Sequence, residues 1–225
     1  MRGERQQSLL VITDGGVASL VACLLNDDPE RICAWVPPPG SPSIDSPGIS
    51  ISQEHRESAR EQAELLGLRT LVVSGSVTLG ADRPAGPGSA ESLPPPAVLM
   101  LAMQDAARLG CDIVLWPVVC GADLDDLVGV AETARLVTRL MDLPGRAGAA
   151  TAPRLAGTLR METPLADLSV EQVAALALDL DAPTHLCWWN RLGAGAPAPA
   201  AEARANWESA LKAAASARGY ALETA

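Results

Sequence analysis

The chain has 225 residues, 48% of them hydrophobic, and a formal net charge of −10 at pH 7. A chain of this length can bury a substantial core, which must consist mainly of Leu, Val, Ile and Ala because Phe is absent and Tyr occurs once. The negative charge argues against broad binding to nucleic acid or to an anionic membrane, since both would be repelled over most of the surface.

Short apolar runs alternate with helical patterns from the beginning of the chain. Strands that are buried on both faces of a parallel sheet appear as continuous apolar runs. The sequence predicts four of them, at residues 9–13, 31–36, 70–73 and 112–119. The first run is too short for a secretory signal or a membrane span, so we expect a cytoplasmic location.

Helical periodicity fills most of the intervals between these runs. The predicted helices cover residues 17–25, 52–66, 97–109, 124–141, 169–180 and 204–218. Residues 74–96 are rich in Gly, Pro and Ser and predict a long loop. Strands joined by helices of this length predict a parallel sheet with right-handed crossovers, in an α/β fold that carries helices on both faces.

Two segments of the sequence carry a resemblance to a known family. Residues 14–19, Asp-Gly-Gly-Val-Ala-Ser, lie between the first strand and the first helix and resemble the SGGxDS motif of PP-loop ATP pyrophosphatases. Residues 163–169, Thr-Pro-Leu-Ala-Asp-Leu-Ser, precede a helix, Ala182-Pro183 and Trp188. That order resembles the C-terminal half of the 7-cyano-7-deazaguanine synthases of queuosine biosynthesis.

The resemblance implies a doubly wound, mostly parallel α/β sheet of the adenine nucleotide alpha hydrolase-like (Rossmann-like) type. It implies a nucleotide-binding-like domain at residues 1–150 and a small helical C-terminal extension at 151–225 that packs on it as one compact unit. Enzymes of the family use ATP to activate a carboxylate and bind zinc through four cysteines. The resemblance assigns Asp14, Gly15, Gly16 and Ser19 to a degenerate nucleotide-binding loop.

Several positions depart from the family pattern. Asp14 replaces the first serine of the loop and Ala18 replaces its acid. The Leu-Pro-Pro-Pro-Ala stretch at 93–97 stands where the family has Arg and Asn, and Trp116 stands where it has glycine. A carboxylate at position 14 either repels a triphosphate or caps the following helix. The indole of Trp116 is expected to fill volume that a ligand would use.

Two kinds of metal site, for magnesium and for zinc, can be considered from the sequence. Asp123, Asp125 and Asp126 either bind Mg²⁺ or form the solvated start of a helix. Zinc is not expected, because the five cysteines are scattered and Asn190 and an Ala/Pro tract occupy the family's cysteine positions.

Aromatic residues and histidine leave further alternatives. Trp188 and Trp189 are either core residues or an exposed recognition patch. His55 lies among charged neighbours and is expected to be solvated.

These departures predict a non-catalytic binding or scaffold protein that pairs with itself or with a protein partner and binds neither nucleic acid nor membrane. The alternative is an active ATP-dependent enzyme that adenylates a deazapurine or another carboxylate. A third hypothesis is a simple module that binds ATP or AMP with Mg²⁺.

Overall fold

The computed structural model describes residues 7–44, 48–74, 95–142, 159–193 and 196–219. Within these ranges five parallel strands form one sheet in the order β3-β2-β1-β4-β5. The strands are β1 (Leu9–Ile12), β2 (Ile32–Val36), β3 (Thr70–Val73), β4 (Ile113–Leu115) and β5 (Arg160–Glu162). The doubly wound parallel sheet predicted from the sequence is confirmed.

Six α-helices surround this sheet in the described ranges. They are α1 (Val17–Leu24), α2 (Gln53–Leu65), α3 (Pro95–Leu109), α4 (Leu124–Met141), α5 (Val170–Asp179) and α6 (Ala198–Arg218). No described helix combines the length and the apolar character needed to cross a bilayer. Most of the predicted loop at 74–96 lies outside the described residues, and the division of the chain at residue 150 stays a prediction.

The three central strands, β2, β1 and β4, bury both of their faces, and alternate residues along them pack into two separate cores. Leu10, Cys33 and Trp35 pack with α3 and α4, whereas Leu9 and Val11 pack with α1, α5 and α6 on the other face. This two-sided burial explains why the strands appear in sequence as unbroken apolar runs.

Tryptophans join the C-terminal part of the chain to the second of these cores. Trp188 and Trp189 are buried in a 3-10 turn at Trp188–Arg191, which confirms the core interpretation of this pair. The ring of Trp189 stacks on that of Trp207 in α6, with centroids 6.0 Å apart. The C-terminal helix is therefore joined to this core by an aromatic contact and by buried alanines such as Ala210 and Ala214.

The order in which strands are added to the sheet reverses between β1 and β4. The chain winds outward from β1 to β2 and β3 on one side, and it places β4 and β5 on the other. In open α/β sheets, ligands bind outside the carboxyl ends of the strands at this kind of switch point. Residues 13–19 after β1 and residues 116–120 after β4 lie there.

Candidate functional site

A glycine turn connects β1 to α1 and is wedged between neighbouring segments. Gly15 has a φ of +74°, which favours glycine. A Cβ atom at this position would lie 2.7 Å from the carbonyl oxygen of His55 and 2.8 Å from the Cβ of Ser58 in α2. The Gly15 carbonyl accepts hydrogen bonds from the Trp188 backbone N–H (3.1 Å) and from Gln62 Nε2 (3.0 Å). The turn is therefore packed against α2 and the C-terminal segment.

The two glycine amides of the turn already have acceptors within the chain. The Gly15 N–H donates to Thr13 Oγ1 at 3.1 Å, and the Gly16 N–H donates to Asp14 Oδ1 at 2.9 Å. Phosphate-binding loops use such backbone N–H groups to hold phosphate oxygens. In this chain a carboxylate oxygen of Asp14 occupies the acceptor position at Gly16.

Asp14 also ties the turn to the segment that follows β2. Its side chain is fully buried, and Oδ2 accepts hydrogen bonds from Ser43 Oγ (2.6 Å) and from the Ile44 N–H (2.9 Å). Asp14 is not itself the N-cap residue of α1, which is Gly16, but its Oδ1 accepts a hydrogen bond from the N–H of that residue. Its Oδ2 also binds a distant segment of the chain, a role that local sequence does not reveal.

Ser19, the fourth residue assigned to the loop, completes a buried circuit of hydrogen bonds. Its hydroxyl accepts from Thr13 Oγ1 at 3.0 Å and donates to the Gly16 carbonyl at 3.1 Å. The structure thus brings Asp14, Gly15, Gly16 and Ser19 together, and their assignment to nucleotide binding stays a prediction. Their polar groups bind one another and neighbouring backbone.

A cavity of about 350 Å³ lies at the switch point beside this turn. Ile12, Val98, Leu99 and Trp116 form its apolar walls, and Ser43 is among its lining residues. This volume falls in the range of about 300–1,000 Å³ that small-molecule sites occupy. The expectation that Trp116 fills this region is corrected: the indole is half-buried and forms one wall of the space.

The three acids after β4 mark the start of α4. Asp123 caps this helix, since its Oδ1 accepts from the N–H groups of Asp125 (2.9 Å) and Asp126 (3.1 Å). Asp125 and Asp126 line a second cavity of about 380 Å³ on which Trp116 also borders. In the part of the chain that the structure describes, no three His, Cys, Asp or Glu side chains form a group suited to a metal ion. Magnesium binding by these acids stays a prediction.

The buried residue that sequence reasoning missed is His55. Its side chain is only 2% exposed and stacks on Trp188, with ring centroids 4.2 Å apart and planes 16° apart. Burial lowers the pKa of the imidazole, against the opposing charges of Asp14 and Glu54. The expectation of a solvated histidine is therefore wrong.

A signal for this burial is present in the spacing of α2. The buried residues of the helix are those at positions 55, 58, 59, 62 and 63, which share one face. His55 begins this stripe, although charged residues surround it in the linear sequence. Periodicity therefore outweighs local polarity at this position.

Comparison with known proteins gives a distant structural likeness. The chain matches no protein-family model and no curated protein. It is similar to the U34-tRNA thiolase NcsA from Methanococcus maripaludis, solved with its 4Fe-4S cluster. The TM-score is 0.45 at 14% identity, over 96% of this chain and 73% of that one.

Two further solved structures show likeness of the same order. One is the NH3-dependent NAD synthetase from Campylobacter jejuni in complex with nitrate, with a TM-score of 0.40 at 12% identity over 100% of this chain and 92% of that one. The other is the conserved protein TT1542 from Thermus thermophilus, with a TM-score of 0.40 at 14% identity over 95% and 86% of the two chains. Likeness this distant says nothing about what this chain binds or catalyses.

Proposed function

We propose that this chain is a divergent PP-loop-type protein that acts by binding and does not activate ATP. The observation that carries this proposal is the occupation of the Gly16 amide by the carboxylate of Asp14 at 2.9 Å. In a phosphate-binding loop the same amide would hold a phosphate oxygen. The chain's own anion stands where the nucleotide's anion would be held.

The size of this obstacle follows from two contributions. A phosphate at Gly16 must displace a hydrogen bond to a charged acceptor, which costs about 1.5–3 kcal/mol. A phosphate charge about 4 Å from a carboxylate adds about 4 kcal/mol at an effective dielectric of about 20. Together they weaken nucleotide binding by roughly 10⁴- to 10⁵-fold, since each 1.4 kcal/mol is a factor of ten.

The scaffold part of the proposal concerns the outer face of α4. Leu124, Val128 and Leu136 are 74%, 56% and 54% exposed, and their spacing of four and eight residues places them along one side of the helix. Apolar side chains exposed in a row are typical of surfaces that pair with another protein. Light scattering of the wild type and of a Leu136→Glu variant tests this part: self-pairing predicts a dimer that the variant splits.

The second candidate is an ATP-dependent enzyme that adenylates a deazapurine or another carboxylate. The cavity of about 350 Å³ at the carboxyl ends of β1 and β4 favours it, because it lies where such folds bind ligands. The lining of the cavity argues against this candidate. The hydroxyl of Ser43, which could reach a ligand there, already donates a hydrogen bond to Asp14.

Calorimetry with ATP and Mg²⁺, paired with a pyrophosphate-release assay, separates these functions. The proposal predicts no binding heat at millimolar ATP and no pyrophosphate, with or without 7-carboxy-7-deazaguanine. The Asp14→Asn variant removes the charge at nearly constant shape, and measurable ATP binding by this variant alone would support the electrostatic argument. Pyrophosphate release by the wild type would establish the second candidate, and binding without release would establish a nucleotide-binding module.

A further inference from the structure

A separate cavity of about 420 Å³ lies between the beginning of α2, the 3-10 turn at Trp188–Arg191 and the beginning of α6. The beginning of α2 contributes Glu54 and His55 to its lining, and the 3-10 turn contributes Trp188. Ile49, Leu192 and two prolines at the beginning of α6 make most of the remaining wall apolar. No residue of the glycine turn is among its described lining residues, which share only Gly48 with those of the space at the switch point.

Two residues of this lining each have a buried nitrogen atom that lacks a hydrogen-bond partner among the described residues. They are His55 Nε2 and Trp188 Nε1, in side chains that are 2% and 0% exposed. An indole nitrogen is always a donor. A buried donor left without an acceptor costs about 1–3 kcal/mol, so native structures rarely keep two of them together.

The hydrogen bonds of His55 fix which of its ring nitrogens carries the proton. Nδ1 accepts from the Ser52 backbone N–H at 3.3 Å and lies 2.9 Å from the Ser52 hydroxyl. In a neutral imidazole the proton therefore lies on Nε2. Both unpartnered atoms are N–H donors, and no acceptor among the described residues lies within hydrogen-bond distance of them.

The charge of the lining restricts the kind of ligand. Glu54 contributes a carboxylate whose pKa is lowered by its hydrogen bond from Ser52, so it is ionised at neutral pH. Burial of His55 favours its neutral form. With a negative group and no described cation in this lining, an anionic ligand is disfavoured and an uncharged one is favoured.

We propose that this cavity binds a small uncharged molecule with an apolar body, whose carbonyl oxygen accepts hydrogen bonds from His55 and Trp188. The apolar walls take the body of the ligand, and the two N–H groups supply the few polar contacts that fix its orientation. The proposal goes beyond the function proposed above. It involves neither ATP nor the glycine turn, so either can fail while the other holds.

The test uses benzamide as a neutral probe, benzoate as its anionic analogue and toluene as the analogue without an acceptor. The ¹⁵N–¹H spectrum of the protein resolves indole N–H signals, which report directly on Trp188. We expect benzamide to shift the Trp188 indole signal in a saturable way. The indole of Trp35 serves as an internal reference, because its Nε1 already donates to Asp105 at 2.9 Å.

Two comparisons make the result decisive. Benzamide is expected to bind at least about tenfold more tightly than benzoate or toluene. The Trp188→Phe variant is expected to bind benzamide about tenfold more weakly than the wild type, as the loss of one hydrogen bond of about 1.4 kcal/mol requires. Trp35→Phe is the matched control and should leave the affinity within twofold. No saturable shift of Trp188 in the wild type, or equal binding of benzoate, would overturn the proposal. The wild-type titration decides the question even if a variant fails to fold.

Discussion

Replacing Asp14 with asparagine tests whether this buried carboxylate holds the glycine turn in place. One carboxylate oxygen accepts from Gly16 at 2.9 Å, and the other accepts from Ser43 at 2.6 Å and Ile44 at 2.9 Å. An asparagine keeps only one acceptor oxygen, so the backbone N–H of either Gly16 or Ile44 must face an amide donor.

The expected loss can be worked out from these bonds. Leaving one buried donor unpaired costs about 1–3 kcal/mol. The bonds that remain lose their charge-assisted strength, since hydrogen bonds to an ionised acceptor are about twice as strong as neutral ones. We expect Asp14→Asn to lower the free energy of unfolding by about 2–4 kcal/mol at pH 7, and Tm by roughly 5–15 °C.

Urea unfolding followed by circular dichroism measures this change. The exposed Asp167 provides a matched control, because Asp167→Asn makes the same chemical change at the surface and should alter stability by less than about 0.5 kcal/mol. Equal effects of the two variants would refute the reasoning. In that case the argument that Asp14 closes the turn to phosphate would fail as well.

Three further predictions follow from the packing of buried groups. Gly15→Ala should lower the free energy of unfolding by more than about 3 kcal/mol in urea melts, because backbone strain at positive φ and the collision of the new Cβ atom with α2 add to each other. The control is Gly67→Ala, at φ +64° with no atom near the new Cβ, which should cost only about 1 kcal/mol. Burial lowers the pKa of His55 in the folded protein, so as the pH falls the unfolded chain binds a proton before the folded chain does. The free energy of unfolding should therefore decrease as the pH falls below about 6.5, and urea melts of His55→Gln should show a smaller decrease. A thiol reagent should label Cys120, the one partly exposed cysteine, in the native protein, and the reaction should be slow because burial raises the pKa of this thiol. The other four cysteines should react only after unfolding, and rapid labelling of all five would contradict their burial.

The fold was predictable because its strongest signals are periodic. Four strands and six helices follow from apolar runs and helical spacing, and the structure has all of them, with ends shifted by a few residues. The fifth strand, Arg-Met-Glu at 160–162, was missed because only Met161 is buried in it and its neighbours are charged. An edge strand of three residues carries too few apolar positions to be recognised.

The beginning of α6 was misjudged for a different reason. The Ala/Pro tract resembles a linker, yet the helix begins at Ala198 with Pro199 in its first turn. Proline is tolerated there because the first N–H groups of a helix lack intrahelical partners in any case. Proline therefore marked the start of the helix rather than a break.

The candidate site was predictable in position but not in its contacts. The order of strand, glycine turn and helix places residues 14–19 correctly. The partners of Asp14 lie 29 and 30 residues further along the chain, and Trp188 reaches His55 from 133 positions away. Contacts over such separations depend on tertiary packing, which one sequence does not encode in any local pattern.

The central position of β1 has a consequence for how the chain folds during synthesis. Leu9 pairs with Ile32 on one side and with Ile113 on the other. One edge of this strand therefore stays unpaired until residues about a hundred positions later in the chain have been synthesised. At about 5–20 residues per second, that wait lasts roughly 5–20 s. Throughout this interval an apolar strand offers unpaired backbone groups to any neighbouring nascent chain, which is the condition under which edge-to-edge aggregation begins.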